Sequence, residues 1–413
     1  MKCHWANVVV AFIILVSGTI DQAIRKIMFQ TKGINIDGKL EVYHKAWFCS
    51  SLVFFSNATC MLLYVICVIY YRIKYRNEEK SNEMDSSSSN DQIEDIKDDS
   101  SVYENKVVFL LKEDAFRNPI GSLGWKYPFI IALLSLLELI KTALNSIGLI
   151  FCNASVILVL RGFLCFFTMF TSWAILKKKP KLRHVIGVSF AFAGLVFVGG
   201  SVIGWKNSVG SKVKFASKSL LGIAIALCGQ FVASIHFVLE EKLMKGIEKP
   251  VPPLFIIGSE GIAGIVISLA VVLQITTAIH GTDHGSYENL KNSYYMTFHN
   301  RKILILQVVT FFSIMMYNWS GILYTKMISA TSRSLVAAMV TILVWAIMLI
   351  LHYTTHHYGE SISYWSIMEV FGFILMVTGT TIYNNIMEIG DKIVAKLQHN
   401  QGEEEEKEEK RQI

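Results

Sequence analysis

Residues 330–351 read ATSRSLVAAMVTILVWAIMLIL, an apolar run whose one charge is Arg333. A helix rises about 1.5 Å per residue, so a run this long crosses the roughly 30 Å hydrocarbon core of a bilayer. Nine further stretches share its character, at roughly 5–27, 46–71, 127–149, 154–176, 184–203, 218–242, 254–279, 302–325 and 363–387. None shows the alternation of a barrel strand, and in lipid only helices or closed barrels satisfy every backbone group. The sequence predicts an all-α membrane protein with ten transmembrane helices, numbered here as spans one to ten.

Composition agrees. The chain has 413 residues, 53% hydrophobic and 17% charged, whereas soluble domains average about 45–50% apolar and about 25% charged. The charges are clustered: residues 77–104 hold ten acids and two lysines, and 402–413 hold six acids and three bases. The chain therefore divides into spans one and two (1–76), an acidic, Ser-rich loop expected to be disordered (77–115), spans three to five (116–203), spans six to ten (218–387) and an acidic tail (388–413). Without the two acidic segments the rest is more basic than the overall +7. Its bases flank apolar runs in short clusters, which points to the lipid bilayer as partner and not to nucleic acid. The seven cysteines form no C-x-x-C or Cys/His zinc pattern, so no metal or cofactor is expected. Cys49 and Cys152 fall near the same membrane face, where a disulfide between them is open. The first apolar run lacks a small-residue cleavage site, so it reads as a retained helix.

Orientation follows from the bases in the loops. Lys177, Lys178, Lys179, Lys181 and Arg183 lie between spans four and five, and Lys242, Lys245 and Lys249 follow span six. The three–four and nine–ten connections carry no Lys or Arg. Both termini are thus expected in the cytoplasm. Internal symmetry is visible too: Asn153-Ala154-Ser155 opens span four and Ser329-Ala330-Thr331 opens span nine. Gly187 and Gly194 in span five match the spacing of Gly372 and Gly379 in span ten. An odd number of spans per half makes such a five-plus-five repeat inverted, a design that recurs in secondary transporters.

Several short runs occur in a telling order. They are Leu160-Arg161-Gly162, Leu239-Glu240-Glu241-Lys242, Gly258-Ser259-Glu260-Gly261, Ser329-Ala330-Thr331-Ser332-Arg333 and Gly379-Thr380-Thr381-Ile382-Tyr383-Asn384. Together they resemble the F-type members of solute carrier family 35, in the drug/metabolite transporter superfamily, over nearly the whole chain except 77–115 and the tail. The resemblance implies ten helices, the inverted repeat, and a central cavity built by spans one to four and six to nine. The chain departs from that pattern at Lys141, where a small residue is usual, and at Ala337 and Val340, where a further charged pair is usual. Substrate is therefore not carried over. Chloroquine-resistance-type relatives hold a lumenal loop with cysteines, and residues 280–301 have none.

Ionisable groups at bilayer depth are costly and by default face protein or water. Glu138 and Lys141 share a face of span three, either neutralising each other or forming a polar cavity wall with Asn145 one turn on. Arg161 in span four has the fork that suits carboxylate or phosphate, with a structural pair as the bland reading. Thr19 and Gln22 in span one, and Gln230 and His236 in span six, complete the cavity candidates. Glu240, Glu241, Glu260 and Arg333 are candidates for gating or packing. For Glu240 and Glu241 surface pairing with Lys242 and Lys245 is the plainer expectation. Glu260, among Gly258, Gly261 and Gly264, is expected to serve helix packing. Arg333 is expected at the interface. Asn57 and Asn318 begin formal glycosylation sequons inside spans, where neither is usable. His44, His280, His284, His299, His352, His356 and His357 fall on the lumenal side, where acid could adjust a transport cycle.

The expected function is secondary transport of a small polar metabolite, nucleotide-linked or amino-acid-like, across an endomembrane such as lysosome, vacuole or Golgi. No P-loop supplies ATP drive, which leaves exchange or a proton gradient. An enzyme is not expected, because Glu138, Glu240, Glu241 and Glu260 give no sign of meeting at one depth. The alternative is a non-transporting scaffold that recruits partners through its loop and tail. A homodimer is left open.

Overall fold

The computed structural model describes residues 2–86, 124–151, 160, 162–208, 217–245, 250–281, 283–355 and 364–385. Its helices are α1 (Lys2–Met28), α2 (Ala46–Ser86), α3 (Tyr127–Phe151), α4 (Phe163–Leu176), α5 (Leu182–Ser208) and α6 (Ser217–Lys245). Then come α7 (Pro253–Ala278), α8 (Leu290–His299), α9 (Arg301–Met327), α10 (Ala330–Thr355) and α11 (Ser366–Tyr383). Among the described residues nine of these are long and apolar enough to cross a membrane, α4 is a shorter apolar helix, and α8 is a polar helix outside the bilayer reading. The chain is an integral multi-pass membrane protein. Spans eight, nine and ten of the sequence are α9, α10 and α11.

Three features differ from expectation. Helix α2 runs on to Ser86, into the loop expected from 77, because Glu78, Glu79, Lys80 and Glu83 are good helix formers on an already nucleated helix. The rest of that loop, the acidic tail and most of the first turns of span four lie outside the described residues. Helix α7 is interrupted by a π turn at Ser268–Val272. A small antiparallel hairpin, β1 (Lys32–Ile34) and β2 (Leu40–Val42), joins α1 to α2.

With apolar side chains facing outward, burial from water does not drive helices together in lipid; close packing and interhelical hydrogen bonds do. Phe12, Ile66, Phe129, Val266, Ile350 and Ile374 are among the exposed apolar residues of the belt. Two glycine seams hold the bundle. A Cβ on Gly187 would meet the Gly379 carbonyl at 2.7 Å, and one on Gly194 the Gly372 carbonyl at 2.4 Å, so α5 and α11 run antiparallel in backbone contact. Likewise Gly258, Gly261 and Gly264 of α7 lie against Met61, Ala58 and Phe54 of α2. Ser51 and Ser268 close that seam with a hydroxyl pair at 2.7 Å. Asn57 accepts from Asn318 at 2.7 Å, tying α2 to α9. Helix α1 packs on α9 and α10, α3 on α6 and α7, and α4 on α6 and α10.

One end of the bundle carries the hairpin and α8. Asn35 Oδ1 accepts from the amides of Asp37 and Lys39, and Gly38 takes φ +78°, which closes the turn. Asn300 pairs with both backbone groups of Ile34, covering the strand edge. Asn289 caps α8 through the amides of Lys291 and Asn292. Glu288 accepts from the amides of Trp47 and Phe48 at 2.9 and 2.7 Å, satisfying the start of α2. Lys45, only 2% exposed, reaches Asp283 at 2.7 Å. Cys49 is a free, buried thiol near Tyr43 and Gln307, and Cys152 lies outside the described residues. The other end carries the basic α4–α5 link, Lys245 and Lys326.

Candidate functional site

Two cavities lie among the helices. The central one, about 260 Å³, is lined by side chains of α1, α2, α3, α6, α7, α9 and α10. Four of its acids, Asp21, Glu138, Glu240 and Glu260, face three bases, Arg25, Lys141 and Arg333. Three ion pairs form: Arg25 with Asp21 at 2.8 Å, Lys141 with Glu138, and Arg333 with Glu240 at 2.7 Å. The Phe237 ring lies between two of these cations, 4.1 Å from the Arg333 guanidinium and 5.2 Å from the Lys141 ammonium. Such contacts help hold desolvated cations in place. Gly321 makes the room for Arg333, since a Cβ there would meet the guanidinium Nε at 2.7 Å.

His236 sits at the centre of the acids. Its Nε2 is 3.4 Å from Glu260 Oε2 and its Nδ1 3.7 Å from Glu138 Oε2. No pattern in the sequence signals that Glu138, Glu240 and Glu260 meet; they converge here because three helices each turn one acid inward. Arg333 is 5% exposed and belongs to this cavity, not to an interface. Its place one turn inside α10 is covered by α6. The glycines beside Glu260 do the packing on α2, whereas its carboxylate faces His236.

The second cavity is larger, about 1330 Å³, and opens toward the basic end between α1, the α4–α5 link, α9, α10 and α11. Adjacent residues separate the two. Glu240 and Arg333 line the central cavity, while Glu241, Thr331 and Ser332 line this vestibule. Glu241 is 1% exposed. It accepts from the Ala330 amide at 2.9 Å and from Lys178 at 2.7 Å, with Lys245 at 3.6 Å. It thus caps α10 and ties α6 and α10 to the α4–α5 link. Surface pairing does not describe either glutamate: both are buried, because the start of α10 and the α4–α5 link close over the end of α6.

The other expected cavity residues lie elsewhere. Asn145 accepts from Gln230 at 2.8 Å, tying α3 to α6, and Thr19 bonds the Leu15 carbonyl. These three and Gln22 line neither cavity. Arg161 lies outside the described residues, as do His356 and His357. Asp21 stands out in the sequence only as part of the polar lumenal half of span one; its pairing with Arg25 goes unread there, although their spacing of four marks a helical ion pair. Asn57 and Asn318 read there only as sequons, when each is the other's partner. Two clusters bring three His or acid ligand atoms within 4.8 Å of one another: His236, Glu240 and Glu260, and Glu41, Asp283 and His284. Arg333 already engages Glu240 and Lys45 already engages Asp283, so a side chain supplies the cation in each.

Comparison with known proteins fits this arrangement. Solute carrier family 35 member F6 of Homo sapiens is 27% identical over 256 residues, 61% of this chain and 65% of the human protein. Its Mus musculus counterpart is 29% identical over 285 residues, 67% of this chain and 73% of the mouse protein. The chain is similar to the F-type solute carriers of family 35. An uncharacterised Schizosaccharomyces pombe protein is 26% identical over 271 residues, 65% of this chain and 78% of the yeast protein. No family model matches. The likeness to the human solute carrier spans just under two thirds of that protein's length.

Proposed function

We propose that this chain is a secondary transporter that moves a small polar solute across an endomembrane by alternating access. The observation that carries the reading is a charged cavity enclosed by helices of both halves and walled from an open vestibule by two adjacent glutamates. Ion pairs buried at bilayer depth are a poor source of stability and are retained where they serve a pathway. A scaffold gains nothing from them.

A five-plus-five inverted repeat is supported by the neighbour relations. Adding five to each span number exchanges the α1–α9 contact with α6–α3, and α1–α10 with α6–α4. It maps α5–α11 and α2–α7 onto themselves, and both of those are antiparallel glycine seams. Opening and closing then amount to one half rocking on the other, with the Glu240–Arg333 pair and the Glu241 ties as the wall that moves. In this reading the vestibule and both termini face the cytoplasm, and the hairpin faces the lumen. Pockets for drug-sized ligands measure about 300–1,000 Å³. The central cavity lies below that range and suits an amino-acid-like solute, while the vestibule admits a nucleotide-linked one.

Single cysteines in a cysteine-free background test the cycle. A membrane-impermeant maleimide should label Ser332→Cys from the vestibule side only, and Asn318→Cys from each side in turn. Asn318→Cys that reacts from neither side would mark a sealed, static cavity and end the carrier reading.

A further inference from the structure

Glu260 is the one acid of the central cavity with no arginine or lysine at ion-pairing distance among the described residues. It is 4% exposed, and its Oε1 has no hydrogen-bond partner. Its neighbour His236 is 3% exposed, and neither ring nitrogen has a hydrogen-bond partner. Buried polar atoms are seldom left so, and each such atom calls for a cause.

The geometry supplies one. Nε2 faces Glu260 and Nδ1 faces Glu138, each across 3.4–3.7 Å. A neutral imidazole has one N–H and one lone pair, so between two ionised carboxylates whichever nitrogen bore the lone pair would point it at another acceptor. An imidazolium has an N–H on each side and gives both carboxylates a donor. The charge count agrees. Asp21 and Arg25 of α1, Glu138 and Lys141 of α3, Glu240 of α6 and Arg333 of α10 cancel in pairs. Glu260 of α7 is left over, and one proton makes the cavity neutral.

We propose that His236 and Glu260 bind one exchangeable proton, which enters from the cavity through Glu138. Glu138 has the more open carboxylate, at 20% exposure against 5% for Glu260. A proton taken there breaks its O–H bond as it forms N–H at Nδ1; the proton then resides on the ring, with Nε2–H held toward the Glu260 carboxylate, and leaves by the reverse path. The bound proton ties α3, α6 and α7 together. Its loss leaves three carboxylates around a neutral ring and favours parting of those helices. This use of the proton in a transport cycle rests on the carrier reading; the proton site itself does not.

The test is ¹⁵N magnetic resonance of full-length protein in nanodiscs, labelled at the histidine ring nitrogens and titrated between pH 5 and 8.5. One imidazolium, with both nitrogens protonated at pH 7, should vanish in His236→Gln. In Glu260→Gln it should move to the neutral-imidazole position, and Glu260→Asp should restore it. Circular dichroism and a monodisperse elution profile check that each variant is folded. If His236 is neutral throughout, or unmoved by Glu260→Gln, the network is structural only and the inference is overturned. An imidazolium without any pH-driven solute entry would uphold the site and count against the carrier reading alone.

Discussion

Arg333 shows how much one buried charge organises. It pairs with Glu240, stacks on Phe237 and fills the gap left by Gly321. Removing one partner of a buried pair leaves the other charge uncompensated, at a cost of about 3–5 kcal/mol. Arg333→Ala should therefore lower the thermal unfolding midpoint of the purified protein sharply. Arg333→Ala combined with Glu240→Ala should recover most of that loss, because no orphaned charge remains. Losses that simply add in the double variant would mean that the pair is not coupled. At this scale the sequence was informative but incomplete. Glu138, His236, Glu240, Glu260 and Arg333 all stand out as polar residues in apolar runs. Depth along a helix does not say which faces meet, however, so the sequence alone makes Glu138 and His236 parts of a cavity wall, Glu260 a packing aid, Glu240 a surface partner of lysines and Arg333 an interfacial group. Arg161, read with them, lies outside the described residues.

Among elements, the glycine seam between α5 and α11 was the most legible, because equal spacing in two spans is a periodic signal. What spacing did not disclose is that the two spans pack on each other, carbonyl against Cα. Gly194→Leu would force its side chain into the Gly372 carbonyl. Overpacking typically costs about 1–3 kcal/mol, and a backbone obstacle puts this site at the upper end. Loss of a disulfide between engineered cysteines across α5 and α11 would report the separation. The hairpin end was not foreseen, since its ties join residues some 240 positions apart and no local pattern encodes such pairings. There, burial pushes the Asp283 carboxyl up, but Lys45, the Asn289 amide and Asn292 outweigh it and hold it below the ordinary carboxylate range. Its stabilising contribution is present above the unfolded value, about 3.9, and is lost only as pH falls through the lower folded value. Burial raises Glu288 instead, so its contribution is largest in acid and fades as pH rises through its folded value. The cap should thus stay closed at pH 5. Hydrogen exchange over 32–45, corrected for intrinsic rates, should change little from pH 7 to 5 and should rise in Asp283→Asn.

For the whole molecule, ten apolar runs and the order of five short motifs were enough to read a membrane bundle and its relatives. In the function proposed above, the neighbour relations belong to two rocking halves, with a charged cavity and a vestibule on either side of the adjacent Glu240 and Glu241. The most direct test is uptake by proteoliposomes holding the purified chain, offered radiolabelled amino acids, nucleotides and nucleotide sugars. Saturable entry of one class, lost by at least tenfold in a folded Glu240→Gln variant, is the result predicted. No entry of any class at either lumenal pH, or entry that Glu240→Gln leaves unchanged, would contradict a carrier working through this cavity.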